Sequence, residues 1–432
     1  MRKVALPVPR GGLHGKRLAK GAGNLDGVGV IADHGRGKPN VSDIVQIRYP
    51  LGTLSIFFIG LLTAGKAEGP KNMSLEFIGM IQPRLQSEIH PADKSVVLDK
   101  GYLRDFAQAH EAGGFDRVLI GYYADAPDGF LMGGYIAAHT ERLALLLAHR
   151  PGFVAPTVAA RSLATLDQIS DGRLAVHIIS GGDDADQRRD GDYLDKEERY
   201  ARTDEYVGIL KDLWTGQSGV DHAGDHYRFE NAATAVRCVQ APHIPIYFGG
   251  ASAAAIEVSA KHADVFALWG ETHAQVKEIT ARVRAAAAAR GRNIRFSLSF
   301  RPILAATEDA AWARAERILA ETKRLGGQGW LGPNKGAPAN EGSRRLLEAA
   351  AQGARLDRCL WTGIAAATGA RGNTTALVGT PAQVAAALLD YWRLGVSTFL
   401  IRGFDPLEDA VAYGETLLPL TRDLIAREAA AA

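Results

Sequence analysis

Only two cysteines, Cys238 and Cys359, occur in the 432 residues, far apart and in no metal-binding spacing. Their scarcity excludes a disulfide-built scaffold and the common zinc modules. It fits a reducing compartment, with the cytoplasm as the expected location. Net charge is almost missing too. Against 50 Lys and Arg stand 48 Asp and Glu, which leaves +2, and no basic patch is interleaved with aromatics. Neither nucleic acid nor a membrane surface is expected as a partner. The longest apolar run, Leu51 to Ala64, is too short for a comfortable membrane span. No G-x-G-x-x-G follows a strand, so the dinucleotide fingerprint is missing, and there is no internal repeat. What remains, 47% hydrophobic and 23% charged, is ordinary globular composition. The length suits one large α/β barrel as well as two smaller domains.

Residues 1–72 differ from the rest. They are rich in Gly, Lys and Arg and lack amphipathic periodicity outside Leu51 to Ala64. That run could serve as a signal-peptide core with Ala67 before the cut, but the stretch ahead of it exceeds a normal n-region. A different origin is expected. Met73 opens a well-patterned strand, and Glu68-Gly69 would be encoded by bases resembling a ribosome-binding site just upstream of it. Residues 1–72 are therefore expected to be translated leader outside the native fold, with the domain spanning 73–432.

From Met73 onward, strand and helix patterns alternate. Strands are predicted at Leu75–Ile81, Arg117–Gly121, Leu143–His149, Leu174–Ile179, Ile244–Phe248, Val265–Trp269, Phe296–Ala305 and Thr398–Gly403. Most are short apolar runs rather than alternations, as parallel strands buried on both faces require. Helices are predicted at Tyr102–Ala112, Val158–Ile169, Ala201–Trp214, Thr272–Arg290, Glu308–Leu325 and Pro381–Leu394. Eight βα units make a (β/α)8 TIM barrel the expected fold, ahead of a doubly wound sheet. Two insertions interrupt it. Gln217–Asn231 reads as a hairpin turning at Gly224-Asp225. Leu325–Thr375, between strands seven and eight, holds a Gly-rich piece and a helix at Ser343–Ala351, and a loop of that length on the active face reads as a lid.

Residues able to carry chemistry gather where strands end. Pro242 to Glu271 reads as a strand, a Gly249-Gly250-Ala251-Ser252 turn, a helix and a second strand. Glycines admit close approach of a ligand, and Ser252 can cap a helix whose first N–H groups could hold a phosphate. By itself the turn is more commonly a plain capped βα connection. His177, Ser180 and the acidic run Asp183, Asp184 and Asp186 follow the fourth strand. No partner spacing supports a metal there, so a solvated acidic loop is expected. Arg150, after the third strand, either meets an anionic ligand or pairs with a nearby Asp, and Asp167 reads as structural.

Three stretches, His149 to Leu174, Glu197 to Trp214 and Pro242 to Glu271, carry a resemblance to the bacterial luciferase-like monooxygenases that use reduced flavin, nearest the alkanesulfonate monooxygenase branch. The likeness runs in order from about Met73 to about Ile425. It implies FMN as cofactor, delivered as FMNH2 by a separate NAD(P)H-dependent flavin reductase, and a homo-oligomer. It implies that a peroxyflavin oxygenates an organosulfur substrate, an alkanesulfonate giving aldehyde and sulfite. His149, His177, Ser180, Tyr200, Gly250, Ala251 and Ser252 are implied around the flavin and its phosphate, with Tyr200 on the phosphate rather than simply packed at its helix start.

The substrate end departs from that pattern. The branch's Cys after the second strand falls near Ala126, its His at the seventh strand falls on Arg301, and its Tyr after the eighth falls in Arg402-Gly403-Phe404. Its lid arginine matches Arg371. Arg301, Arg371 and Arg402 thus become the candidate catalytic residues, suited to an oxyanion because guanidinium groups offer forked donors. Pairing of Arg402 with Asp405, Glu408 or Asp409 is the structural alternative. A sulfone, sulfosugar, alkane or chelator-type carboxylate remains open as substrate, as does deazaflavin-dependent hydride transfer.

Overall fold

The computed structural model describes Ser74–Gly326, Pro338 and Asn340–Ala431, and before Ser74 only the backbone of two strands. Those two, Ile44–Tyr49 and Gly52–Phe57, pair antiparallel within a unit of their own, Met1–Lys66. The leader reading of residues 1–72 otherwise lies outside the described residues.

Eight parallel strands close into a barrel. In chain order they are β1 (Glu76–Ile81), β2 (Arg117–Ile120), β3 (Ala144–His149), β4 (Leu174–Ile178), β5 (Ile246–Gly249), β6 (Val265–Trp269), β7 (Arg295–Leu304) and β8 (Thr398–Ile401). Each pairs with its sequence neighbour, and β8 returns to β1 with Leu400 opposite Ile78. The expected TIM barrel is what forms. Continuous apolar runs such as Leu145-Leu146-Leu147 supply side chains to both faces, as strands covered on both sides need.

Period-two alternation divides those side chains. Ile78, Leu119, Leu146, Ala175, Tyr247, Val265 and Leu400 fill the barrel interior as one layer. Beneath it, Glu76 accepts hydrogen bonds from Arg117 Nε (2.9 Å) and Tyr247 Oη (2.8 Å). This packed floor leaves only the C-terminal mouth for chemistry. The alternate residues meet the helices in the main core. Each fully buried Leu, Ile or Val there contributes about 1.5–3 kcal/mol.

Helix starts follow local chemistry. Asp195 and Glu198 form a capping box ahead of Lys196–Thr215, as do Thr272 with Gln275 and Thr380 with Gln383. One barrel helix, Gly129–His139, escaped the periodicity because its glycines and uniform apolarity blur the pattern. The C-terminal helices Pro406–Ala412 and Leu418–Ala431, joined by a π turn, were also not predicted. The hairpin forms from Val220–Ala223 and Arg228–Ala232. Asp167, fully buried, accepts from Val239 N, Gln240 N and Gln240 Nε2, and so ties its helix to the approach to β5.

Residues 305–397 separate β7 from β8. β7 is long because it serves two sheets. Its first half completes the barrel, and from Arg301 onward it pairs with Ala376–Gly379. Much of the expected lid is seated, not free. Helix Glu341–Gln352 is fastened by Arg345, whose guanidinium reaches Glu271 (2.7 Å) and Glu278 (3.0 Å). Its Leu346 packs with Ala365, Ala370 and Trp269. Residues 327–337 and 339 lie outside the described residues.

Candidate functional site

Continuing the inward alternation to the top of the barrel places Arg150, His177, Trp269, Ser299, Arg301 and Arg402 around the mouth. Two groupings form there, one on the β4–β5 side and one on the β7–β8–β1 side.

The first is built on the turn after β5. Gly250 has φ +132, a conformation L side chains avoid, and a Cβ there would lie 2.8 Å from Ala255 Cβ and 3.3 Å from Tyr200 Oη. Ser252 caps helix Ala253–His262 by accepting from Ala255 N, and its Oγ stands 3.4 Å from Tyr200 Oη. By the geometry of a helix start, the N–H groups of Ala253 and Ala254 have no intrahelical acceptor. No acidic residue occupies that first turn. Ser180 Oγ, after β4, is 2.9 Å from Thr203 Oγ1, on the same helix as Tyr200. The sequence-predicted Ser180, Tyr200, Gly250, Ala251 and Ser252 are thus brought near one another, with hydroxyls beside a positive helix end. A phosphate fits this donor set. Arg199, between Glu198 and Tyr200, is buried and paired with Asp184 (2.7 Å), which holds the preceding loop in place.

His177 points into the mouth with Nδ1 buried and unpartnered, and burial pulls its pKa down to about 4, so it is neutral. His149 corrects the expectation. It is 2% exposed and faces the helices, with Nε2 2.7 Å from Tyr206 Oη and Phe130 edge-on to its ring. Being one residue out of phase with the inward set, it packs the barrel wall and does not line the pocket. Arg150 takes the structural alternative at Asp186 (2.5 Å) while covering the Tyr122 ring. Asp183 caps a short helix. Among the described residues no group of three metal-ligating side chains exists.

Buried neutral histidines have a consequence for stability. Burial holds both His110 and His149 near a pKa of 4, against 6.5 in the open chain. As pH falls below 6.5 the unfolded state protonates first, so stability drops progressively until about pH 4. By pH 5 the loss is about 2 kcal/mol per histidine. The urea midpoint is expected to fall between pH 7 and 5, before carboxylates contribute. A flat midpoint over that range would contradict the buried placement.

The second grouping centres on a residue the motifs did not indicate. Glu88, in the loop after β1, is 2% exposed and places Oε1 2.6 Å from Arg301 Nη1 and 3.2 Å from Arg402 Nη2. Burial alone would raise its pKa, but Arg301 and then Arg402 outweigh it and keep the carboxylate ionised. Arg301 is wholly buried, donates to Gly403 O (2.8 Å) and lies over the Phe404 ring. Burial, with Arg402 beside it, pulls its pKa down to about 10. Arg301 therefore has its own internal anion and does not reach a substrate, contrary to its expected catalytic role. Arg402 pairs with this same Glu88 rather than with Asp405, Glu408 or Asp409. Asp405 and Asp409 serve Arg314 instead, and Asp405 also bonds His90. Arg371 is half-buried two residues before Asn373, whose carbonyl lies 3.4 Å from Arg402 Nη2. Nothing in the Gln86-Ser87-Glu88 stretch marks an acid for burial, because its partners are more than 200 residues away in sequence.

The family model described as luciferase-like monooxygenase matches residues 75–398. Among solved structures, an EDTA monooxygenase from Chelativorans sp. BNC1 superposes with a TM-score of 0.67 at 16% identity, covering 81% of this chain and 94% of that one. A riboflavin lyase, with modified FMN and riboflavin bound, gives 0.67 at 19% identity, covering 81% and 92%. DmoA from Hyphomicrobium sulfonivorans gives 0.64 at 21% identity, covering 81% and 88%. At these identities the likeness establishes a shared fold.

Proposed function

The chain belongs to the luciferase-like monooxygenase family and is a flavin-dependent monooxygenase, and we propose that it uses FMNH2 from a separate NAD(P)H-dependent reductase to oxygenate a small organosulfur anion, an alkanesulfonate first. The observation that carries the FMN reading is the cradle of Tyr200 Oη, Ser252 Oγ and the helix start at Ala253, opened by Gly250. A 5′-phosphate needs several donors and a positive helix end without an acid in its first turn, and the cradle offers these.

Reduced flavin supplies electrons that activate O2, one oxygen atom going to substrate and the other leaving as water. This chain's residues do the rest. Tyr200, Ser252 and the N–H groups of Ala253 and Ala254 hold the phosphate. His177, neutral, adds no charge and offers Nδ1 to the bound ring or substrate. Arg301 and Arg402 share one carboxylate, which leaves one positive charge over, enough to orient a monoanion. Trp269 and the seated segment 340–375 cover the β6 side and exclude water.

The related folds include an EDTA monooxygenase and a long-chain alkane monooxygenase, so the shared barrel leaves substrate to the mouth residues. The test is sulfite release in the presence of FMN, NAD(P)H, a flavin reductase and a panel of alkanesulfonates. Sulfite and aldehyde above the enzyme-free control are expected. Their absence while FMNH2 still binds would remove sulfonates and leave the flavin reading intact.

A further inference from the structure

The mouth around Asn373 holds buried hydrogen-bonding atoms that the chain does not satisfy. Asn373 is 9% exposed, and both its Oδ1 and its Nδ2 are buried without a partner. Turning the amide over only exchanges which atom sits where, so the vacancy for one donor and one acceptor stands either way. Glu88 gives Oε1 to Arg301 and Arg402, while its Oε2 is buried and unpartnered. Gln82, 3% exposed, also has one buried amide end without a partner. Arg402 links these residues. Its Nη2 touches Glu88 Oε1 and the Asn373 carbonyl, and it borders the same small cavity as Gln82.

Each such orphan is destabilising, and native folds keep few of them. Those of Glu88 and Asn373 come from two separate stretches of chain, after β1 and ahead of β8, and both residues touch Arg402 Nη2. That point lies across the barrel from the phosphate cradle, since β5 and β1 are four strands apart in a closed ring of eight. The flavin phosphate therefore does not satisfy them.

We infer that Asn373, Glu88 and Arg402 bind the polar end of the substrate, and that this end carries a hydrogen-bond donor, a hydroxyl or an N–H, beside its anionic group. The inference rests on the mouth being the substrate site, as proposed above. Its chemistry follows from counting donors and acceptors. A bare sulfonate or carboxylate brings acceptors only, which would face Glu88 Oε2 and the Asn373 amide oxygen repulsively. A hydrocarbon end leaves every orphan unpaired. With a hydroxyl next to the anionic group, the anion meets Arg402, the O–H donates to Glu88 Oε2 or Asn373 Oδ1, and Asn373 Nδ2 donates to the hydroxyl oxygen.

The test is calorimetric binding to the FMN-loaded protein of two matched pairs. The anionic pair is 2,3-dihydroxypropanesulfonate and propanesulfonate, and the neutral pair is 2-hydroxyethyl methyl sulfone and ethyl methyl sulfone. The hydroxylated member is expected to bind about tenfold tighter or more, because a site built to bond a hydroxyl rejects the analogue lacking it. Asn373→Leu is expected to bring the two members of a pair to within about twofold while FMN still binds, which shows that the variant is folded. A preference in either pair that Asn373→Leu abolishes supports the inference. Equal binding within each pair, a preference that survives Asn373→Leu, or no binding by any of the four overturns it. If only the sulfones bind, with the hydroxyl preference, the sulfonate reading fails and the donor requirement stands.

Discussion

Replacing Glu88 by alanine is expected to destabilise the barrel by about 3–5 kcal/mol, the cost of removing one partner from a buried ion pair. Arg301 has no exposure, and its nearest anion is Glu88 at 2.6 Å. Without that carboxylate two guanidinium groups would face each other in a water-poor mouth. Pairing a charge with an apolar substitute on the other side tests the cause. Glu88→Ala combined with Arg301→Met is expected to recover most of the loss, because the isolated buried charge goes with it. Glu88→Gln should fall between, since it keeps shape and a hydrogen bond but loses the charge. The readout is the urea or thermal midpoint of each variant. A loss under about 1 kcal/mol in Glu88→Ala, or no recovery in the double variant, would mean that the pair is solvated and not buried.

The double variant Tyr200→Phe/Ser252→Ala is expected to weaken FMN binding by about a hundredfold and leave riboflavin binding within about twofold. A hydrogen bond to a charged group contributes about 1.5–3 kcal/mol, and 1.4 kcal/mol is tenfold in affinity. The two hydroxyls are 3.4 Å apart and would share one phosphate, so their effects fall short of additive. Ser252→Ala also removes a helix cap worth about 1 kcal/mol of stability. Riboflavin, which lacks the phosphate, separates that loss from the lost contacts. Gly250→Ala should act in the same direction, because φ +132 and a 2.8 Å approach to Ala255 leave no room for a Cβ. Equal weakening of FMN and riboflavin would place the phosphate elsewhere.

The two expected results differ in how far they were legible beforehand. The cradle could be read from the chain because its parts are local. A strand, two glycines, a capping serine and a helix follow one another within Ile246–His262, and only Tyr200 and Ser180 are brought in from outside. Helix polarity and positive φ are properties of a few consecutive residues, so their signature survives in the sequence. Glu88 left no such trace. An acid in a loop is ordinarily solvated, and its burial is decided only when β7 and β8 close against β1.

The same distinction covers His149 and Arg301. The resemblance placed both at the site, and their fates diverged on facts that a sequence pattern does not contain. His149 falls out of phase with the inward set and bonds Tyr206 in the helix layer. Arg301 is in phase but is neutralised from another loop. The sequence by itself determined the eight strands and most of the helices between them, and with them the barrel and its active face, because periodic burial is written residue by residue. It also laid out the local parts of the cradle proposed for a phosphate, the glycine turn, the capping Ser252 and the helix start. The tertiary structure alone decided which charges remain available at the mouth, since that depends on pairing between residues up to 314 apart in the chain. Desolvation sets the outcome there, for a charge excluded from water must find its partner wherever the fold brings one.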